Sequence, residues 1–179
     1  AEWITVHDRH LCAVDSVNNP NRVYYSNLND YDDFSGLAAG YAELPEAIKG
    51  IRSFRNNLYI FCEDTIHRLV NINDPASLAI IPVTEKMGCI NGHTIQEIGG
   101  DLIFLAPDGF RTIAGTERIA DVELGSVSRA IQPLVNTIVS NQSDYTFSST
   151  VLREKNQYRF FYLDSNGAGK GLIGTLRAT

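Results

Sequence analysis

Carboxylates and aromatic side chains alternate in one short segment between two apolar runs, and they are the first candidates for chemistry in this sequence. The segment contains Asp30, Tyr31, Asp32, Asp33 and Phe34. Two carboxyl groups held ~5–10 Å apart can act as acid and base in glycoside hydrolysis, and a carboxylate beside an aromatic ring suits a sugar. Solvated loops carry the same residue types. We therefore expect a surface loop whose side chains are available to contact a partner.

A glycine-rich segment at residues 164–171 partly matches two ligand-binding loops. A phosphate-binding loop needs glycine first, Ser or Thr after the lysine, and then a helix, but Asp164 and Gly171 stand at those positions and an apolar run follows. A calcium loop needs oxygen ligands at positions five and twelve, the latter a bidentate carboxylate, and these are Ala168 and Thr175. A hairpin loop is therefore favoured. Its interaction candidates are Asp164, Asn166 and Lys170.

The spacing of histidine and cysteine gives no basis for a metal centre. His7 and His10 form an H-x-x-H pair, but His67 and His93 are distant in sequence and zinc needs three or four ligands. We expect surface or turn histidines instead. The three cysteines include no C-x-x-C pair, so reduced thiols are expected rather than a disulfide framework. With no serine-hydrolase, zinc-protease or dinucleotide motif in the sequence, we expect no catalytic residue, no cofactor and no metal.

Charge and hydropathy argue against two broad classes of partner. The net charge is -6 and the isoelectric point is about 5.1, which argues against tight nucleic-acid binding and against docking on an anionic membrane. No apolar run reaches the ~18–20 residues that a membrane span requires, so no membrane anchor is expected. The first residues, 1–5, have the composition of the middle of a strand, and we expect a fragment or a processed product.

Short strands separated by turns recur along the chain with a constant period. One copy has a hairpin turn at Asn56–Asn57 and the next has one at Gly99–Gly100, and Leu58 aligns with Leu102 at an offset of 44 residues. A looser third copy covers residues 149–176. A period of roughly 40–50 residues with four strands per repeat is typical of β-propeller blades. The sequence therefore predicts an all-β fold, a single propeller-like domain over residues 1–179 with about three to four blades or part of a larger propeller.

One segment departs from the strand pattern. Apolar residues at 127, 131, 134, 135 and 138 have helical spacing. Pro133 suits the first turn of a helix, where a backbone N–H has no partner. We expect a short helix at about residues 128–139, inserted between blades.

Several segments together resemble tail proteins of short-tailed bacteriophages. The stretch from Arg22 to Phe34 has a strand that ends in Ser-Asn and then a polar loop closed by an aromatic residue, and residues 51–69 resemble the next element of that family. Residues 87–95 resemble a third element, and residues 104–110, with Phe-Leu-Ala-Pro-Asp-Gly-Phe, resemble a fourth. The family is the tail nozzle, or tail tubular protein B.

The resemblance implies a virion structural protein in the phage tail, assembled in the host cytoplasm. It implies a homo-oligomeric ring, a hexamer in this family, in contact with other tail and adaptor proteins. DNA would pass through the lumen during ejection without specific binding. A nozzle subunit is several times longer, so this chain would correspond to a portion of one or to a reduced relative.

Two other functions fit the residues. A carbohydrate- or receptor-binding propeller module would place Tyr24, Tyr31 and Phe34 beside Asp30 and Asp32 in a shallow sugar site. A propeller glycoside hydrolase would need two convergent carboxyl groups ~5–10 Å apart.

Overall fold

The computed structural model describes residues 1–114 and 128–176. The chain divides into two compact units, Ala1–Cys89 and Ile90–Thr179. The strands of the first unit are β1 Trp3–His7, β2 His10–Asp15, β3 Asn19–Tyr25, β4 Gly40–Glu43, β5 Ile48–Phe54, β6 Asn57–Cys62, β7 Ile66–Val70 and β8 Ala79–Thr84. Those of the second unit are β9 Gln96–Ile98, β10 Asp101–Ala106, β11 Gly109–Thr112, β12 Thr146–Leu152, β13 Gln157–Leu163 and β14 Gly169–Thr175.

The first unit consists of two antiparallel four-stranded sheets, in which strand order follows chain order. They are β1-β2-β3-β4 and β5-β6-β7-β8. Period-two alternation directs every second side chain of a strand to one face, as in β2, where Cys12 and Val14 are buried and their neighbours are less so. These residues share one hydrophobic core with Ile51, Leu58 and Ile60 of the second sheet. The predicted all-β fold with four-stranded repeats is confirmed in this unit.

Tight turns join β5 to β6 and β9 to β10, as the sequence predicts. Gly99 and Gly100, between β9 and β10, have φ angles of 60° and 76°, a pair of left-handed residues typical of a type I′ hairpin. The turn between β5 and β6 has the same form at Arg55 and Asn56, with φ angles of 47° and 60°. This turn lies one residue earlier than predicted, because Asn57 already pairs with Phe54.

The second unit contains two antiparallel sheets that have three strands each within the described ranges, β11-β10-β9 and β12-β13-β14. Its core is rich in aromatic side chains. Phe160 is fully buried and its ring centroid lies 5.2 Å from that of Phe110 and 5.6 Å from that of Phe147. Edge-on and offset ring pairs of this kind stabilise a core beyond the area that they bury.

A short helix interrupts the strands of the second unit between β11 and β12, in agreement with the sequence. Helix α1 spans Gln132–Ser140 and follows a 3-10 turn at Arg129–Ile131. Pro133 is its second residue, and Val135 and Ile138 are buried against the aromatic core. Within the described ranges, no helix has the length and apolarity needed to cross a membrane.

Substitution of two adjacent phenylalanines on β13 tests which face of this strand packs into the core. Phe160 is fully buried, whereas Phe161 on the opposite face is 44% exposed. We expect Phe160→Ala to lower the free energy of unfolding by about 3–5 kcal/mol, and Phe161→Ala to lower it by less than about 1 kcal/mol. The denaturant midpoint of the two variants measures the difference. Equal losses would contradict the assignment of the core face.

Candidate functional site

The predicted acidic loop between β3 and β4, residues 27–39, is held together by two of its own side chains. The Asn27 backbone N–H donates to the Asp33 carbonyl at 2.6 Å, and the Asn27 side-chain amide donates to Asp33 Oδ2 at 3.2 Å. Asn27 Oδ1 accepts from the Ala38 N–H at 3.3 Å. A Cβ atom at Gly36 would lie 2.4 Å from both side chains. Glycine at this position therefore allows the loop to close on itself.

The three carboxylates of this loop have different roles. Asp33 Oδ1 accepts from both the backbone N–H and the hydroxyl of Ser35 at 2.8 Å. These donors stabilise the ionised carboxylate and lower the pKa of Asp33. Asp30 Oδ1 accepts from the Asp32 N–H at 3.4 Å, and both residues are exposed. Asp33 thus maintains the loop, whereas Asp30 and Asp32 face solvent.

Apolar side chains project from this ordered loop. Tyr31 and Phe34 are each 44% exposed, and Leu37 is completely exposed. Exposed apolar groups on a loop fixed by its own hydrogen bonds form a surface that a partner can bury at little entropic cost. The sequence prediction named Tyr31 and Phe34 but missed Leu37, because a single leucine in a polar loop gives no pattern.

Tyr24 belongs to a different surface from the two loop aromatics. It lies on β3, on the face of the first sheet opposite the shared core, and its ring centroid is 5.9 Å from that of Tyr41 on β4. The guanidinium of Arg22 lies 4.8 Å from the centre of the Tyr41 ring and 3.1 Å from the Glu43 carboxylate. This face therefore carries two tyrosines and an ion pair.

The second predicted loop, between β13 and β14, is organised by Asp164. Its Oδ1 atom accepts from the backbone N–H groups of Asn166 and Ala168, each at 3.0 Å. These bonds, with Lys170 Nζ at 3.4 Å from Oδ2, lower the pKa of Asp164. The side chain of Asp164 is only 13% exposed, whereas that of Lys170 is 55% exposed. Strand β14 follows, so the predicted hairpin is confirmed and the helix of a phosphate-binding loop is not present there.

His7 and His10 flank the turn between β1 and β2, as expected, but they are buried rather than on the surface. They are 5% and 0% exposed. His7 Nδ1 lies 2.9 Å from Ser53 Oγ. His10 Nδ1 donates to the Ser26 carbonyl at 2.6 Å, and its Nε2 lies 3.0 Å from Asn73 Oδ1. Both rings therefore serve as hydrogen-bonded parts of the core.

The Asp-Gly pair of the phage-tail resemblance has a structural role in the second unit. Arg111 is 5% exposed, and its Nε and Nη2 atoms both donate to the Asp108 carboxylate, the first at 3.0 Å. The carbonyl of Asp108 accepts from Gln132 Nε2 of helix α1 at 2.7 Å. Gly109 has a φ angle of 134°, a conformation that favours glycine. The motif therefore fixes the β10–β11 turn and connects it to α1.

One mixed cluster of metal-ligand types lies in the first unit, and the sequence prediction did not find it. Ligand atoms of Glu46, Cys62 and His67 all lie within 4.8 Å of one another. Burial raises the pKa of the Cys62 thiol to about 12 and lowers the pKa of His67, an effect that the charges of Glu46 and Glu85 oppose. No sequence motif marks these residues, because they come from three separate segments: the one just before β5, the end of β6, and β7.

Comparisons with known proteins identify no family for this chain. No protein-family model matches the sequence, and no curated protein matches it. Its function is therefore inferred from its own residues and fold.

The hydrogen bonds of the acidic loop give a testable difference between neighbouring carboxylates. We expect Asp33→Ala to accelerate amide hydrogen exchange at Ser35 several-fold, because that N–H loses its acceptor, whereas Asp32→Ala should leave it unchanged. Since the folded pKa of Asp33 is depressed, this protection is present above the unfolded value of ~3.9. It is lost as the pH falls through the lower folded value. Equal exchange in both variants would contradict the role of Asp33.

Proposed function

We propose that this chain is a structural component of a bacteriophage tail, of the nozzle type, whose subunits assemble into a ring that conducts DNA. The observation that carries the proposal is the pair of successive four-stranded meanders that share one core, β1-β2-β3-β4 and β5-β6-β7-β8. Propeller blades have this strand order, and each blade buries its faces against its neighbours. The resemblance to tail nozzle proteins assigns the same kind of domain to that family.

Exposed apolar faces on two of the sheets support an assembling protein. On the first sheet, Ile4, Val6 and Tyr41 are 59%, 52% and 52% exposed. On the sheet β12-β13-β14, the corresponding set is Phe161, Leu163 and Ile173, at 44%, 47% and 62%. A sheet face of this composition is stabilised when a second copy covers it.

The acidic charge of the chain is compatible with a DNA conduit. A net charge of -6 gives little electrostatic attraction for phosphates. A wall of the same sign as DNA lets the duplex pass without retention. DNA would therefore be a passing partner and not a bound ligand.

A carbohydrate-binding module is the second candidate, favoured by the acidic loop. Tyr31 and Phe34 are half-exposed on that ordered loop, next to the solvent-facing carboxylates of Asp30 and Asp32. Aromatic rings can stack on sugar rings while carboxylates accept their hydroxyl groups. Tyr24 would take no part, because it lies on the sheet face with Tyr41.

Native mass spectrometry tests the assembly. We expect the chain to form particles at multiples of 19.8 kDa, and negative-stain images of them to show rings with a lumen. The double variant Phe161→Ser/Ile173→Ser should dissociate these particles, because it removes apolar contact from one face. Val17→Ser is the control, since Val17 is 86% exposed but lies in the β2–β3 turn. A monomer at every concentration would contradict the proposal.

A glycan array tests the alternative. Binding that Tyr31→Ala and Phe34→Ala each reduce at least about tenfold, while Tyr24→Ala leaves it intact, would favour the carbohydrate-binding module. We expect no glycan binding above background for a tail nozzle component.

A further inference from the structure

The end of the second sheet brings together three side chains that metals prefer. Ile48 pairs with Cys62 across β5 and β6, so the segment just before β5, with Glu46, lies beside the end of β6. The Cys62 N–H donates to the Thr65 carbonyl at 2.9 Å, which returns the chain into β7 and His67. As a result, a carboxylate oxygen, a thiol sulfur and an imidazole nitrogen lie within 4.8 Å of one another.

Hydrogen bonds through Thr65 connect Glu46 to His67. Thr65 Oγ1 donates to Glu46 Oε1, and it lies 2.8 Å from His67 Nε2. This contact gives His67 Nε2 a hydrogen-bond partner in the Thr65 hydroxyl, so Nδ1 is the ring nitrogen that remains to be accounted for.

His67 Nδ1 is buried and has no hydrogen-bond partner among the described residues. His67 as a whole is only 9% exposed. Buried polar atoms in folded proteins nearly always have a partner, and an exception needs an explanation such as an ion. The unpartnered Nδ1 is a second observation beside the clustering of ligand types, and a bound cation would account for both.

We propose that Glu46, Cys62 and His67 bind a zinc ion, or a similar divalent transition metal, at the end of the second sheet. Thiolate with imidazole selects zinc over magnesium or calcium, and three protein ligands leave a fourth position for water. Zinc bonds of about 2.0–2.3 Å place tetrahedral ligands roughly 3.3–3.7 Å apart. From separations of up to 4.8 Å, the three ligand atoms would need to approach one another by as much as roughly 1.1–1.5 Å.

The ion would connect the segment before β5 to the end of β6 and to β7. Binding replaces the S–H bond of Cys62 with a sulfur–metal bond, and the proton leaves to solvent. The Thr65 hydroxyl and the Asp64 N–H, which donates to Glu46 Oε2 at 2.7 Å, would orient the carboxylate from behind. The segment before β5 and the β6–β7 turn would then be fixed to each other.

Cobalt titration of the full chain tests the site, because tetrahedral thiolate–cobalt complexes have a near-ultraviolet charge-transfer band. We expect this band in the wild-type chain and its displacement by zinc. Zinc at about a hundredfold excess over its dissociation constant should also raise the melting temperature by about 5–10 °C. Cys62→Ala should abolish both effects, and His67→Gln should weaken them at least about tenfold.

Cys12→Ala is the matched control. Cys12 is also fully buried on a strand, and burial also raises its pKa to about 12, but it lies outside the cluster. It should keep both the band and the thermal shift. If Cys62→Ala fails to fold by circular dichroism, the half-buried Glu46→Gln takes its place and should weaken cobalt binding at least about tenfold. No band in the wild-type chain, or a band that survives in the Cys62 and His67 variants, would overturn the proposal.

Discussion

The burial of one apolar sheet face against another is the interaction on which the first unit depends. A four-stranded meander has two faces, and a face lined with residues such as Val14 and Val23, or Leu58 and Ile60, is stable only when it is covered. In the first unit, two successive meanders cover each other. Strand alternation, the tight turns and the sequential strand order all follow from the requirement to present one continuous apolar face.

The requirement that an apolar sheet face be covered also applies to the faces that are exposed. The outer surface of the first sheet and that of β12-β13-β14 both carry exposed apolar side chains. A repeating architecture leaves such faces wherever a neighbouring repeat is contributed by another chain. In the proposed ring, neighbouring subunits would pack sheet face against sheet face, in the same way as the two sheets of the first unit pack against each other.

Carboxylates stabilise the connections between strands, and this separates structural acidic residues from available ones. Asp33 and Asp164 each accept at least two hydrogen bonds from their own loop, and Asp108 accepts two from Arg111 on the adjoining strand β11. Fixed in this way, the acidic loop can hold Tyr31 and Phe34 half-exposed without the disorder that usually accompanies apolar groups on a loop. The number of acidic residues in the sequence therefore overestimates the number of carboxylates that a ligand could contact.

Local patterns determined much of the fold. Period-two alternation, the Gly99–Gly100 turn and the 44-residue offset between Leu58 and Leu102 depend on neighbouring residues or on repetition, so the sequence alone predicts the strands, the hairpins and the helix before β12. Tertiary structure decided the side-chain environments. The burial of His7 and His10, the central role of Asp33, and the meeting of Glu46 with Cys62 and His67 all depend on contacts between separate segments. Spacing along the chain does not encode such contacts, because strand register and the folding of one sheet on another determine which distant side chains become neighbours.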